Sequence, residues 1–363
     1  MQTPYYLIDK KLIAANMAKM DQLRAASGAK CLLALKCFAT WPVFDVMRDH
    51  MDGITSSSLF ELRLGREKFG KEAHAYSVAW SDNEIDEAVG YADKIIFNSI
   101  SQLVRFDDRS KGIKRGLRLN PGFSTSDFDL ADPARKFSRL GEWDIDKLHG
   151  VADQISGVMI HYNCENEDFD QFSDQLGRVE NDFGEFLAKL EWVSLGGGIH
   201  FTGANYPLDQ LADRLKSFAN KFDVQVYLEP GEAAITGTAS LEVTVLDLLE
   251  NEKSLAIVDS SVEAHMLDLL VYRESGKINT RGNHRYQICG KSCLAGDIFG
   301  EFSFPEPLKI GDRLSIEDAA GYTLVKKNWF NGVKMPSIVI REEDGALRLA
   351  REFGYDELVS SHG

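Results

Sequence analysis

From Lys10 to about Gly237 the chain alternates short β-rich runs with stretches of helical spacing, and this alternation limits its fold more than any other feature. The runs are CLLALK (31–36), GITSS (53–57), HAYSV (74–78), KIIFN (94–98), RGLRLN (115–120), GVMIHYN (157–163), WVSLGGG (192–198) and VQVYLEP (224–230), eight in all. Between them lie segments such as KKLIAANMAKMDQLRAA, LFELRLGREKFG and DFGEFLAKLEW, whose apolar residues recur at helical intervals. Strict alternation predicts parallel strands joined by right-handed crossovers, and eight such units match an α/β fold of the TIM-type (β/α)8 barrel. A doubly wound open sheet is the alternative, but its usual Gly-rich fingerprint after the first strand is missing and Lys36 stands there instead.

After Gly237 the pattern changes. LEVTVLDLLE, SLAIVDS, YQICG, IFGEFSF, RLSIED, YTLVK, PSIVIRE and ALRLARE are strand-like runs separated by Gly, Pro, Asn and Asp, with few helical stretches between them. The expected organisation is a barrel over 10–237 and a second, mostly β domain of sandwich-like or barrel-like form over 1–9 and 238–363. The run YYLID joins the second domain because the barrel already has its eight strands.

Charge narrows the function classes. A net charge of -15 leaves no basic stripe for phosphate backbones, so nucleic acid is not an expected partner, and an acidic field suits cationic ligands. No apolar run reaches the length of a bilayer span and no leader-like segment opens the chain, so a cytoplasmic protein without a membrane partner is expected. The five cysteines, Cys31, Cys37, Cys164, Cys289 and Cys293, are scattered without metal-type spacing and read as free thiols.

Catalytic groups of a barrel gather at the C-terminal ends of its strands. Those ends carry Lys36, Ser56 to Ser58, Asn98, Arg118, Asn120, His161, Asn163, the turn Gly196, Gly197 and Gly198, and Glu229. Taken singly each has an ordinary explanation: a lysine snorkelling from a strand end, a hydrogen-bonded histidine, a flexible glycine loop, a satisfied carboxylate. Together they fit pyridoxal 5'-phosphate (PLP). That cofactor takes a desolvated lysine for its aldehyde, backbone amides for its phosphate and an acidic partner for its ring nitrogen. Lys36, the glycine turn and Glu229 supply these, and His161 can stack on the ring.

The stretches LALKCFATW, GITSS with FELRLG, HAYSV, DKIIFNS, GLRLNPG, ARKFSRLG, MIHYNCEN, VSLGGG, YLEPGEA, AIVDSSVEAH, SCLAGD and AGYTLVKKNWFNG, in this order, resemble the group IV PLP-dependent decarboxylases of the alanine racemase fold. This family includes the ornithine, arginine and diaminopimelate enzymes. The likeness is nearest to the branch acting on carboxynorspermidine and carboxyspermidine in polyamine synthesis. It implies Lys36 as the Schiff-base lysine, His161 as the ring-stacking imidazole, Glu229 as the ring-nitrogen partner and Arg118 as a cofactor-side cation. It further implies Gly196 to Gly198 and Gly231, helped by Tyr322, as the phosphate site. It also implies a homodimer with shared active sites, in which Cys293 reaches across as the acid that reprotonates the substrate carbanion, with Asp297 nearby.

Three departures from the wider family accompany this branch: Glu232 where a basic residue usually follows EPG, Thr55 where an acid precedes the serines, and NCE after His161-Tyr162. A triamine with a distal ammonium needs acidic partners. VDSSVEAHMLD offers Asp259, Glu263 and Asp268, of which Asp259 and Glu263, with Asp297, are the expected substrate contacts. A decarboxylase of another basic amino acid is the alternative. An amino-acid racemase would pair its lysine with a tyrosine and prefer a less acidic ring partner than Glu229. A PLP carrier without activity would lack the second domain.

Overall fold

The first strand, β1 (Tyr5–Asp9), stands apart from the next eight, which close into a parallel barrel: β2 (Lys30–Ala34), β3 (Gly53–Ser56), β4 (Glu72–Ser77), β5 (Lys94–Phe97), β6 (Lys114–Arg118), β7 (Gly157–Met159), β8 (Trp192–Ser194) and β9 (Gln225–Leu228). Lys30 opposite Tyr227 closes the ring between β2 and β9. The structure, a computed structural model, describes every residue but Asp127. It divides into two compact units, one of Ala14–Ala234 and one of Met1–Ile13 with Ile235–Gly363.

Each barrel strand is followed by helical chain. The helix Phe169–Leu187 shows why: Phe172, Leu176, Val179, Phe183, Phe186 and Leu187 fall on one buried face, and the Asp168 carboxylate accepts the N–H groups of Asp170 and Gln171 at its start. The stretch DFGEFLAKLEW is helical only to Leu187. A turn follows, with Lys189 N–H bonded to Phe186 O, and the chain passes into β8.

Leu32, Tyr76, Ile96, Met159, Trp192 and Tyr227 fill the barrel interior as one cluster. Near the N-terminal strand ends the apolar layer gives way to charge. Glu72 accepts hydrogen bonds from Lys30 (3.0 Å), Tyr227 (2.8 Å) and Lys94, and pairs with His74 Nε2 at 3.0 Å. Burial pushes the Glu72 carboxyl up, but the hydrogen bonds from His74, Lys94 and Lys30 outweigh it and hold the group ionised well below the usual carboxylate range.

Several strands are shorter than their β-rich runs. β2 ends at Ala34, not at Lys36. Leu35 makes a last rung to Thr55 O at 3.1 Å, after which Cys37 and Phe38 both donate back to Ala34 O, so the backbone curls and Lys36 lies in a turn. β7 ends at Met159, two residues before His161, and β8 ends at Ser194, before the glycines.

The second unit is an eight-stranded sheet. Its remaining strands are β10 (Ala239–Glu250), β11 (Ser254–Val258), β12 (His284–Cys289), β13 (Ile298–Phe304), β14 (Arg313–Glu317), β15 (Ser337–Arg341) and β16 (Leu347–Arg351). The order is β13-β12-β11-β10-β1-β15-β16, with β14 also paired to β10. β1 runs antiparallel to β10 and parallel to β15, with Tyr5 to Ile8 buried. β10 alternates buried Ala239, Leu241, Val243 and Val245 with half-exposed Ser240, Glu242 and Thr244, the pattern of a strand with one covered face. The run YTLVK forms no strand. Tyr322 takes the left-handed conformation (φ 51°) and Lys326 N–H turns back to Thr323 O at 3.2 Å. Among the described residues no helix is long and apolar enough to cross a membrane.

Candidate active site

At the C-terminal end of the barrel, Lys36 Nζ lies 3.4 Å from His161 Nε2. Burial and the Arg118 guanidinium push the Lys36 amine below the ordinary lysine value, against an opposing pull from Glu229, Cys37 and Glu61. Burial, then the charges of Lys36 and Arg118, drive His161 well below the ordinary imidazole value, so its ring is neutral. His161 Nδ1 is buried with no hydrogen-bond partner.

The glycine turn meets the histidine directly. Gly196 has φ 70°, and a Cβ there would stand 2.9 Å from Cβ and Cγ of His161. One at Gly198 (φ 82°) would stand 2.2 Å from Asn163 O, and one at Gly197 2.3 Å from Glu229 O. Only glycine fits this stretch, and it leaves bare backbone at the mouth. The turn is tied to β9 by Glu229 N–H donating to Gly196 O at 2.8 Å. The buried Glu229 carboxylate accepts the Ser194 hydroxyl at 2.6 Å, and that hydroxyl also accepts Gly196 N–H at 3.2 Å. Gly231 packs against Cys37, whose Sγ lies 3.5 Å from a Glu232 oxygen.

Arg118, the last residue of β6, is buried and donates to Tyr76 OH at 2.9 Å, and Tyr76 OH donates to Asn98 Oδ1 at 2.8 Å. Asn98 and Asn120 build the loop after β6. Asn98 bonds Gly141 N–H and Arg139 O, and Asn120 donates to Pro133 O and Leu140 O. Sequence reasoning passed over Glu61, which lies on the helix Leu59–Lys68 and accepts Ser57 N–H at 2.6 Å. Burial raises its carboxyl, and Lys36 opposes the rise. Its signal in the sequence is the Ser58-x-x-Glu61 capping pattern.

The remaining expected residues lie in the sheet unit. Both Asp259 oxygens are taken, Oδ2 by the Thr3 hydroxyl (2.6 Å) and Oδ1 by Thr244 N–H (2.8 Å). Both Asp297 oxygens are taken too, Oδ1 by Val262 N–H (2.7 Å) and Oδ2 by Ser292 N–H (3.0 Å). Through these bonds the two acids knit the sheet unit to itself, and each oxygen still has acceptor capacity left. Asp268 is paired with Lys326. Glu263 differs, with Oε1 at 3.4 Å from the Asn328 amide and Oε2 buried without a partner. Cys293 is exposed, and the Lys326 amine sits 5.0 Å over the Tyr322 ring.

The barrel mouth suits PLP on three observations: an amine of lowered proton affinity, a glycine turn that a Cβ would fill, and a buried histidine nitrogen lacking a partner. Lys36 can bind the aldehyde, the turn can hold the phosphate and Glu229 can face the ring nitrogen.

A family model described as "Pyridoxal-dependent decarboxylase, C-terminal sheet domain", for the ornithine, diaminopimelate and arginine decarboxylases, matches residues 43–320. A carboxynorspermidine/carboxyspermidine decarboxylase of Herminiimonas arsenicoxydans is 61% identical over 99% of both chains. A carboxyaminopropylagmatine decarboxylase of Synechocystis is 35% identical over 98% of this chain and 94% of its own. The crystal structure of carboxynorspermidine decarboxylase from Campylobacter jejuni, complexed with norspermidine, superposes with a TM-score of 0.92 at 34% identity, covering 99% of this chain and all of that one. The chain therefore belongs to the pyridoxal-dependent decarboxylases.

Proposed function

We propose that the chain decarboxylates carboxynorspermidine and carboxyspermidine, giving norspermidine and spermidine. The full-length likeness to a relative named for these two substrates carries the reading. When bound, PLP supplies an electron sink for the pair left on Cα as carbon dioxide departs. The chain's own residues do the rest. Lys36 would hold the cofactor's aldehyde, and its lowered proton affinity favours the lone pair that this bond needs. His161, neutral, would pack on the ring face without adding a second charge beside Arg118. Glu229, fixed by Ser194, would face the ring nitrogen and favour its protonation. The backbone of Gly196 to Gly198 and Gly231 would hold the phosphate, in place of the side-chain cation absent at Glu232.

Glu263 is the substrate-side acid in this reading, because its buried, unpartnered oxygen calls for a cation. Cys293 donates the proton to Cα. We further propose a homodimer in which Cys293 comes from the second copy, acting in the cytoplasm without a nucleic-acid or membrane partner.

Carbon dioxide release from carboxynorspermidine, carboxyspermidine, carboxyaminopropylagmatine, diaminopimelate, ornithine and arginine tests the substrate class. Turnover confined to the last three would overturn it. Mixing Lys36→Ala and Cys293→Ala chains tests the sharing: activity recovered on mixing supports it, and two inactive partners that form mixed dimers yet stay inactive would rule it out.

A further inference from the structure

The segment GKSCLAGD (290–297) forms a loop closed at its neck by Gly290 N–H donating to Asp297 O at 2.8 Å. Asp297 is 3% exposed, and its carboxylate occupies the space a side chain at position 290 would need: a Cβ there would stand 2.2 Å from Oδ1. From that place it accepts Ser292 N–H within the loop and Val262 N–H outside it, joining the loop to the segment that carries Glu263. Bonds from two N–H groups to one carboxylate are charge-assisted and strong for their size.

The tip of the loop is held separately. Cys293 N–H donates to Asn331 Oδ1 at 2.6 Å. Asn331 has φ 55° and ψ 12°, a left-handed conformation that Asn and Asp adopt more readily than other side chains. Three residues earlier, Asn328 bonds Ala264 O through its N–H (2.9 Å) and Glu263 O through its amide (3.2 Å), and it accepts Phe330 N–H (2.8 Å). The segment 328–332 is thereby fixed to 263–264 before it reaches the loop.

We propose that Asn331 and Asp297 are positioning residues for Cys293, clamping the main chain on either side of its thiol so that the side chain projects in one direction. The inference rests on the reading of Cys293 as proton donor. Proton transfer needs hydrogen-bond distance between thiol and Cα, and an exposed loop tip holds such a distance only if its backbone is pinned. A clamp on the N–H does this without using the sulfur.

Four variants, Asn331→Gly, Asn331→Asp, Asp297→Asn and Cys293→Ala, separate the possibilities. Glycine takes φ 55° freely, so Asn331→Gly removes the acceptor without backbone strain. It should lower kcat on the order of tenfold with KM little changed, and should change the rate at which iodoacetamide alkylates Cys293 in the cofactor-free protein, read by peptide mass. Asn331→Asp keeps the acceptor and the conformation and should retain most of the turnover. Asp297→Asn faces a donor towards a backbone N–H and should act like Asn331→Gly; if it fails to fold, the Asn331 pair, on the surface, still decides. Wild-type kcat and alkylation in Asn331→Gly, with Cys293→Ala impaired, would overturn the positioning role. Wild-type turnover in Cys293→Ala would overturn the proton-donor reading itself.

Discussion

Lys36 and His161 face each other across 3.4 Å at the barrel mouth, and burial disfavours the charged form of both. Two bases so close cannot both be protonated at low cost. Both groups are therefore biased towards their neutral forms, and the neutral amine is the form in which a lysine is a nucleophile.

Removing Arg118 should weaken that effect. Its charge is the largest contribution to the lowering at Lys36 after burial. Arg118→Gln should therefore move the Lys36 amine up, and the pH at which Lys36 becomes reactive to an acylating reagent in cofactor-free protein should rise. An unmoved profile would show that burial alone sets it.

Lys36→Ala should abolish the yellow colour that purified protein takes on with PLP, and Gly198→Ala should weaken cofactor retention on dialysis. The second change sets a Cβ 2.2 Å from Asn163 O at φ 82°, so the turn must deform. Unchanged retention in Gly198→Ala would mean that the phosphate rests elsewhere.

Glu229→Gln should bind PLP yet lose turnover on the order of a hundredfold, since a preorganised charge at the reacting group is worth that much in other sites. Parallel spectra and rates on the same preparation check it. A rate within twofold of wild type would remove the ring-nitrogen role.

Acid should loosen the sheet unit through His265. This ring is fully buried, and burial pushes it down to about 3. It is neutral in the folded chain, whereas the unfolded chain takes up a proton below the ordinary imidazole value near 6.5. Stability from this group is thus complete above about 6.5 and declines as pH falls towards 3, by about 1.4 kcal/mol per pH unit at most. Melting temperature measured against pH in wild type and His265→Gln should show a shallower acid limb in the variant.

Glu72→Ala should lower the unfolding free energy by about 3 kcal/mol, because it strands Lys94 and His74 without their shared carboxylate. Urea titration measures the loss. A stability unchanged within error would mean that water takes over the vacated bonds.

The barrel is legible in the sequence because a parallel strand buried on both faces has to be written as a short apolar run, and eight such runs with helices between have few other solutions. Lys36, His161 and Glu229 stand out for a related reason: each polar residue directly follows at least three buried ones. The same logic overreached at YTLVK, where β-branched and aromatic residues suggest a strand but Tyr322 turns left-handed and breaks the ladder. Composition records affinity for a half-buried surface, and packing decides the backbone. Asp259 and Asp297 show a second limit. An acid in a turn advertises charge, whereas the Thr3, Thr244, Val262 and Ser292 donors that absorb that charge become visible only in three dimensions. Asn331, 38 positions from the cysteine that it holds, carries no local signal at all.

The place of β1 between β10 and β15 has a consequence for how the molecule can be made and cut. The sheet is assembled from segments on either side of the barrel in sequence, so β1 leaves the ribosome before the barrel strands and both of its neighbours after them. Until then Tyr5 to Ile8 have no lasting partner, and such long-range closure is slow. A protease that clips the chain after Asp9 would open two strand edges in the middle of the sheet, an invitation to intermolecular pairing. Expressing the sheet alone therefore requires grafting residues 1–13 onto 235–363, and a simple C-terminal fragment should precipitate.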